Sequence, residues 1–171
     1  MNPVVYLGQD ACQVACEIKS LCKKEKLGTA PGVYVDTSVS GPDVIDVNMP
    51  NLFSYPSENS PSVDKIVEQI IIKLESCDNP SGIGIVADLC SGAGSSLSCA
   101  VITEIKDIAP HLRIQSVFTM PPENTVYGIN VINSVMTTQI PLEYADSVMI
   151  RGLDDALMLV GENNKLSLIH I

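Results

Sequence analysis

The chain has 171 residues, 46% hydrophobic and 18% charged, which excludes an intrinsically disordered protein and allows one globular domain with a buried core. Ten basic residues against twenty acidic ones give a net charge of −10, so nucleic acid or an anionic membrane is not expected as the main partner, because both require a basic surface. No apolar run is long enough to cross a bilayer, and six cysteines without a Cys-x-x-Cys pair predict free thiols in a reduced, cytoplasmic setting.

Strands alternate with helices along the chain. In chain order, the predicted elements are a strand at residues 4–7, a helix at 11–24, a strand at 33–35, a helix at 63–76, a strand at 83–89, a helix from about 96 to 108, a strand at 112–119, a helix at 126–139, a strand at 145–150 and a short helix beginning near Asp154. This alternation predicts an α/β domain with a doubly wound, mostly parallel, Rossmann-like sheet.

Several connections carry turn signals. Gly28 is a plausible stop for the first helix. Residues 37–62 are rich in Ser, Pro, Asn and Asp and are predicted to be irregular, with a short helix near residues 43–47. In a doubly wound sheet, ligands bind beyond the carboxyl ends of the strands. The turns that follow Leu7, Asp36, Leu89 and Thr119 are expected at that edge.

The last six residues, 166–171, look like the translation of an adapter used in sequencing libraries, the alternative being an ordinary terminal strand. The domain is therefore expected to span residues 1–165, and the natural protein is expected to continue beyond it.

The turn at residues 90–96, Cys-Ser-Gly-Ala-Gly-Ser-Ser, lies between a predicted strand and a predicted helix. Gly92 and Gly94 permit positive φ and close backbone approach, so successive N–H groups and the helix dipole can face a phosphate. The pattern is neither a Walker motif nor Gly-x-Gly-x-x-Gly. A tight turn whose small residues serve packing is an equally good interpretation of this segment alone.

Three segments together resemble the tubulin family. The turn at 90–96 resembles its Gly-Gly-Gly-Thr-Gly-Ser-Gly loop and keeps Gly92, Gly94 and Ser95. Residues 133–146, Asn-Ser-Val-Met-Thr-Thr-Gln-Ile-Pro-Leu-Glu-Tyr-Ala-Asp, are similar to the family's Asn-Ser-x-x-Thr-Thr-x-x-x-Leu-Glu-x-x-Asp. Residues 7–17 resemble its Gly-Gln-Cys-Gly-Asn-Gln-Ile-Gly-x-Glu, and Tyr34-Val35-Asp36 its Val-Asp-Leu-Glu-Pro.

The resemblance implies a GTP- or GDP-binding domain that holds Mg²⁺ and covers the nucleotide-binding half of the family's fold. It places Asp36 near the metal ion, through water, Asn130 at the ribose and Asp154 at the base. The other residues that it places at the nucleotide are Gly8, Gln9, Asp10, Gln13, Ser91, Gly92, Ala93, Gly94 and Ser95. It further implies a structural constituent of microtubules or a related filament, assembled head to tail from tubulin-like subunits in the cytoplasm and cytoskeleton.

The chain departs from the family pattern at several positions. Asp10 stands where the family has Cys, which puts a negative charge close to the phosphates, and Ala93 stands for Thr. The family's Ala-Gly-Asn-Asn-Trp-Ala loop, expected before Val63, is missing. In this family the residue that activates water belongs to a later segment, so no catalytic residue is assigned and hydrolysis by this chain alone is not expected.

Two alternatives remain open from the sequence. One is a degenerate tubulin paralogue that keeps the fold and binds partners without nucleotide, which Asp10 and the missing loop favour. The other is an unrelated doubly wound enzyme in which the glycine turn holds a dinucleotide. No acidic residue is well placed after that turn to bind the ribose, and the Thr-Thr and Leu-Glu pairs of residues 133–146 are left unexplained.

Overall fold

The structure is a computed structural model, and it describes residues 2–36, 44–46, 63–89, 92–120 and 138–152. The elements are β1 (Val4–Leu7), α1 (Gln9–Lys24), β2 (Gly32–Asp36), β3 (Val44–Asp46), α2 (Val63–Glu75), β4 (Gly82–Asp88), α3 (Gly92–Ile108), β5 (Arg113–Met120) and β6 (Ser147–Gly152). Residues 138–144 are also helical and lead towards β6.

The six strands form one parallel sheet in the order β3-β2-β1-β4-β5-β6. From β1 the chain first adds strands on one side, then crosses back to β4 and adds strands on the other side. This is the strand order of the Rossmann fold, with the reversal between β1 and β4. The prediction of an α/β, doubly wound parallel sheet is confirmed.

The helices cover both faces of the sheet. Right-handed crossovers that run in opposite directions place their helices on opposite faces, so α1 lies on one face and α2 and α3 lie on the other. The larger core lies under α2 and α3, around Ile70, Ile85 and Phe118. Under α1, the buried rings of Tyr6 and Tyr34 stack with centroids 5.4 Å apart, and Lys19 Nζ lies 4.1 Å from the Tyr34 centroid. Strands β1 and β4 are buried on both faces, which explains the nearly continuous apolar runs at residues 4–7 and 83–87, whereas β5 alternates exposed and buried residues.

The C-terminus of α1 differs from the prediction. Helix α1 ends at Lys24, and the left-handed residue beyond it is Lys26, at φ 56°, rather than Gly28. The N–H of Leu27 donates to the Cys22 carbonyl at 2.8 Å, and that of Lys26 donates to Lys23 at 3.4 Å. This pair of bonds is a Schellman motif, in which glycine is the favoured left-handed residue. Gly28, the predicted end of the helix, therefore lies two residues beyond the left-handed residue that the structure shows.

Three other boundaries also differ. Residues 44–46 form strand β3 instead of a short helix, because pairing with β2 sets the conformation of so short a segment. Helix α3 begins at Gly92, four residues earlier than predicted. Helical residues continue to 144 rather than ending at 139, although Pro141 is a common helix-ending signal. Residues 126–137 of the predicted helix at 126–139, and the short helix predicted to begin near Asp154, lie outside the described residues.

Across the part of the chain that the structure describes, the helices are all too short or too polar to span a membrane.

Candidate functional site

The crevice between the carboxyl ends of β1 and β4 brings two helix N-termini together. Gly8 follows β1 and leads directly into α1, while only residues 89–91 separate β4 from α3. Neighbouring strands lie about 4.8 Å apart, so both turns open at the same point of the sheet edge. In open α/β sheets this reversal point is where ligands bind, and helix N-termini favour anions.

Gly8 has a conformation that only glycine adopts without strain. Its φ and ψ are 95° and 165°, and the residue is buried. Its N–H donates to the Val35 carbonyl at 2.9 Å, and its own carbonyl accepts from the Cys12 N–H at 3.0 Å. The turn is thereby tied to β2 and to α1. The sequence prediction singled out Gly8, and the structure gives the physical reason for a glycine there.

The other predicted residues of this turn lie on the first turns of α1. Gln9 and Gln13 are exposed and, being four residues apart, share one side of the helix. Asp10 is half-buried in the first helical turn, where a carboxylate is favoured by the helix dipole. The structure thus places Gly8, Gln9, Asp10 and Gln13 together beside the crevice.

The glycine turn after β4 is shorter than predicted, because Gly92 and Gly94 belong to the first turn of α3. Gly94 has no positive φ, since Gly8 is the positive-φ glycine of the described residues. Ala93 and Ser95 are buried, with 2% and 0% of their surfaces exposed. Small residues here let the N-terminus of α3 approach the sheet closely, which brings its first N–H groups to the crevice.

Asp88 is a buried carboxylate that the sequence analysis did not single out. It ends β4, three residues before the predicted phosphate loop begins at Ser91, and only 4% of its surface is exposed. Its register partner on β5 is Thr119, whose hydroxyl is buried without a hydrogen-bond partner among the described residues. The sequence did contain a signal for this carboxylate, because Asp36 and Asp88 each end an otherwise apolar strand.

The carboxyl edge carries little basic charge. Residues 37–62 and 121–137 contain no Lys or Arg, and the described strand ends contribute Asp36, Asp46 and Asp88 together with one basic residue, Arg151 of β6. Arg151 lies two strands away from β4, so a phosphate in the crevice between β1 and β4 would be neutralised mainly by backbone N–H groups, helix dipoles and a bound cation. Within the described ranges, no group of three His, Cys, Asp or Glu side chains is arranged to hold a metal ion. A site for Mg²⁺ here would depend on phosphate oxygens and water, as is usual for this ion.

Some predicted site residues cannot be placed. The backbone of Asp36 ends β2 in register with Asp46 of β3, but its side chain lies outside the description. Ser91, Asn130 and Asp154 lie outside the described residues altogether.

A second concave surface lies at the opposite, amino edge of the sheet. It is an open groove of about 660 Å³ lined by the end of α2 and by the segments that lead into β4 and β5. Cys77 and His111 both line it, and the Cys77 thiol donates to the Lys73 carbonyl at 3.2 Å. The groove is separate from the crevice at β1 and β4.

Comparison of the sequence with protein-family models and with curated proteins gave no match.

Proposed function

We propose that this chain is the nucleotide-binding domain of a tubulin-like protein that binds GTP or GDP with Mg²⁺ in the crevice between β1 and β4. The observation that carries the proposal is the convergence of Gly8 and the N-terminus of α3 at the reversal point of the sheet. These are the two segments whose residues resemble the nucleotide-binding turns of tubulins. The chemistry of both turns, N–H groups at helix N-termini, suits phosphate.

In this proposal α1 and α3 contribute different groups to nucleotide binding. The first turn of α3, at Gly92, Ala93 and Gly94, presents N–H groups to the phosphates, and the first turn of α1 presents Gln9 and Gln13 to the nucleotide. Mg²⁺, when bound, neutralises phosphate charge near Asp36. The resemblance assigns Asn130 to the ribose and Asp154 to the base. Subunits assemble head to tail into a filament of the cytoplasmic cytoskeleton.

A nucleotide-free partner-binding paralogue is the second candidate, and two carboxylates favour it. Asp10 lies in the first turn of α1 and Asp88 lies at the end of β4, so carboxyl groups border the crevice on the side of β1 and on the side of β4. Charges so placed oppose a triphosphate. A dinucleotide-binding enzyme is the third, because Asp36 ends β2, where Rossmann proteins place the acidic residue that binds ribose.

Equilibrium binding of fluorescently labelled GTP to the full chain, with Mg²⁺, tests the proposal. ATP and NAD compete in parallel titrations. Saturable binding that unlabelled GTP displaces better than ATP or NAD supports the tubulin-like function. Binding that NAD displaces best supports the dinucleotide enzyme, and no binding at high micromolar protein supports the nucleotide-free paralogue.

A matched pair of variants locates the site. Gln13→Ala removes an exposed amide beside the crevice, whereas Gln69→Ala removes an exposed amide from α2. We expect Gln13→Ala to weaken GTP binding about tenfold, the cost of roughly one hydrogen bond, and Gln69→Ala to leave it unchanged. Equal effects of the two variants would place the nucleotide elsewhere.

A further inference from the structure

The face of the sheet under α1 is covered only in part by the described helices. Register partners on neighbouring strands point to the same side of a sheet, so Val86 of β4, Val117 of β5 and Met149 of β6 share a face. Val86 packs against the small core under α1, which assigns this face to the side of α1. Val117 is 36% exposed and Met149 is 49% exposed. Strands β5 and β6 therefore present apolar residues beside α1.

Helix α1 turns an apolar flank towards these two strands. Val14, Ile18 and Leu21 follow the spacing i, i+4 and i+7 and are 44%, 43% and 58% exposed. Lys19 lies on the opposite flank, because its ammonium group is 4.1 Å from the ring centroid of Tyr34 on β2. With 3.6 residues in each turn of a helix, the three apolar residues point away from β2 and towards β4 and β5.

The helix flank and the sheet face form the wall and the floor of one surface. We call this surface, made of Val14, Ile18, Leu21, Val117 and Met149, the α1 slot. Neighbouring strands are about 4.8 Å apart, so β5 lies about 10 Å from β1, on which α1 packs. Packed helices are about 8–10 Å apart. One helix that lies along β5 would therefore contact the wall and the floor together.

The segment that follows β6 begins beside the α1 slot. Strand β6 ends at Gly152, at the carboxyl edge, and is the strand that borders the slot on the side away from α1. Residues 153–160, Leu-Asp-Asp-Ala-Leu-Met-Leu-Val, include six apolar residues, so the segment needs an apolar surface to bury them. Leu153, Leu157 and Val160 have the i, i+4, i+7 spacing of one helix face, and the sequence predicts a helix that begins near Asp154.

The charge of this segment complements that of the slot. Strands β5 and β6 carry two charged residues, Arg113 and Arg151, which are exposed and lie on the same face as Val117 and Met149. Residues 153–162 carry three acidic residues and no Lys or Arg. Opposite charges around an apolar contact favour that partner over others.

We propose that residues 153–160 form a helix that packs into the α1 slot, with Leu153, Leu157 and Val160 against the wall and the floor. Eight helical residues span about 12 Å, whereas the eight residues of β5 span about 26 Å, so the floor is long enough for this helix. The packing would give the α1 side of β5 and β6 a helical cover. It does not rest on the proposed nucleotide site.

Cysteine cross-linking in the full chain, without nucleotide, tests the contact. Ile18→Cys and Leu157→Cys are combined in a Cys16→Ser background and treated with a short bismaleimide. The control pair is Ile72→Cys with Leu157→Cys, because Ile72 is 48% exposed on α2, which packs on the other face of the sheet. We expect the pair at 18 and 157 to form an intramolecular cross-link at least about tenfold faster than the control pair, as measured by peptide mass spectrometry.

A second pair of variants measures the burial of the segment. Leu157→Lys places a charge on the face that enters the slot, and it is expected to lower the melting temperature by about 4 °C or more. Leu159→Lys makes the same change on another side of the predicted helix and is expected to melt within about 1 °C of wild type. A difference between these two variants supports the inference.

Cross-linking decides the outcome if the melting temperatures of both variants fall together. A pair at 18 and 157 that reacts no faster than the control pair overturns the inference. A cross-link that joins residue 18 of one copy to residue 157 of another also overturns it, because a second copy then occupies the slot. Loss of GTP binding leaves the inference standing, since the cross-link is measured without nucleotide.

Discussion

Lys106 and Asp146, forty residues apart in the sequence, form an ion pair with Nζ 2.9 Å from Oδ2. The same carboxylate oxygen accepts the N–H of Ile114 at 2.8 Å. Asp146 thereby ties the chain that enters β6 to the C-terminal end of α3 and to β5. In the run of residues 133–146 that resembles tubulin, the final Asp has a structural role that its sequence position does not reveal.

Asp146→Asn is expected to destabilise the domain in a pH-dependent manner. The bonds from Lys106 and from the Ile114 N–H lower the pKa of Asp146 below its usual range. Its contribution to stability is therefore complete above the unfolded-state pKa of about 4 and is lost as pH falls through the lower folded-state pKa. The side chain is 46% exposed, so we expect a loss of roughly 0.5–1 kcal/mol at pH 7.

Urea unfolding of wild type and Asp146→Asn at pH 7 and pH 3 measures this effect. The two proteins should differ at pH 7 and converge as the pH is lowered. Asp78→Asn, which neutralises an exposed Asp after α2, is the control and should change stability little. A difference that stays constant with pH would contradict the role assigned to the ionised carboxylate.

Gly8→Ala is expected to cost about 1–3 kcal/mol of unfolding free energy, because its φ of 95° and ψ of 165° are open essentially only to glycine. Gly28→Ala is the matched control. Gly28 is exposed and has no positive φ, so its substitution should change stability by less than about 0.5 kcal/mol. Chemical denaturation measures the free energy of unfolding of both variants. Equal stabilities of Gly8→Ala and Gly28→Ala would contradict the glycine-specific backbone conformation at Gly8.

Asp10→Asn is expected to raise the affinity for GTP about threefold to tenfold at low salt, because it removes a negative charge from the first turn beside the crevice. The gain should shrink as salt screens the interaction. The same change should lower stability by a few tenths of a kcal/mol, since a carboxylate at a helix N-terminus is favourable. Asp64→Asn, in the first turn of α2, is the control. An unchanged affinity would place the phosphates away from α1.

The rate of alkylation by iodoacetamide should differ between Cys16 and Cys99. Burial raises the pKa of Cys99 to about 11, so at pH 8 only about one molecule in a thousand carries its thiolate. Cys16 is exposed on α1 and should react first. Raising the pH by one unit should speed the reaction of Cys99 about tenfold while its pKa remains above the pH. Peptide mass spectrometry follows both sites, and equally fast labelling at pH 8 would contradict the burial of Cys99.

The sequence by itself determined the type of most elements. Val4–Leu7 was predicted with its observed bounds, and α2 was predicted within one residue, because Ile66, Ile70 and Leu74 repeat at helical spacing on one buried face. The turn that follows Leu7 was also predicted, and the structure places Gly8 in that turn, between β1 and α1. These features depend on local backbone preference and on the spacing of apolar side chains, and both are visible in a short stretch of sequence.

Only the tertiary structure decided the order of the strands, the conformation of residues 44–46, the left-handed Lys26 and the burial of Asp88. Each depends on a neighbour that is distant in the sequence or on a bond that the residue type does not specify. Pairing with β2 makes residues 44–46 a strand, and two backbone bonds hold Lys26 in the helix-ending position that was predicted for Gly28. The placement of β4 next to β1 brings Asp88 to the same crevice as Gly8, because parallel strands end at one edge.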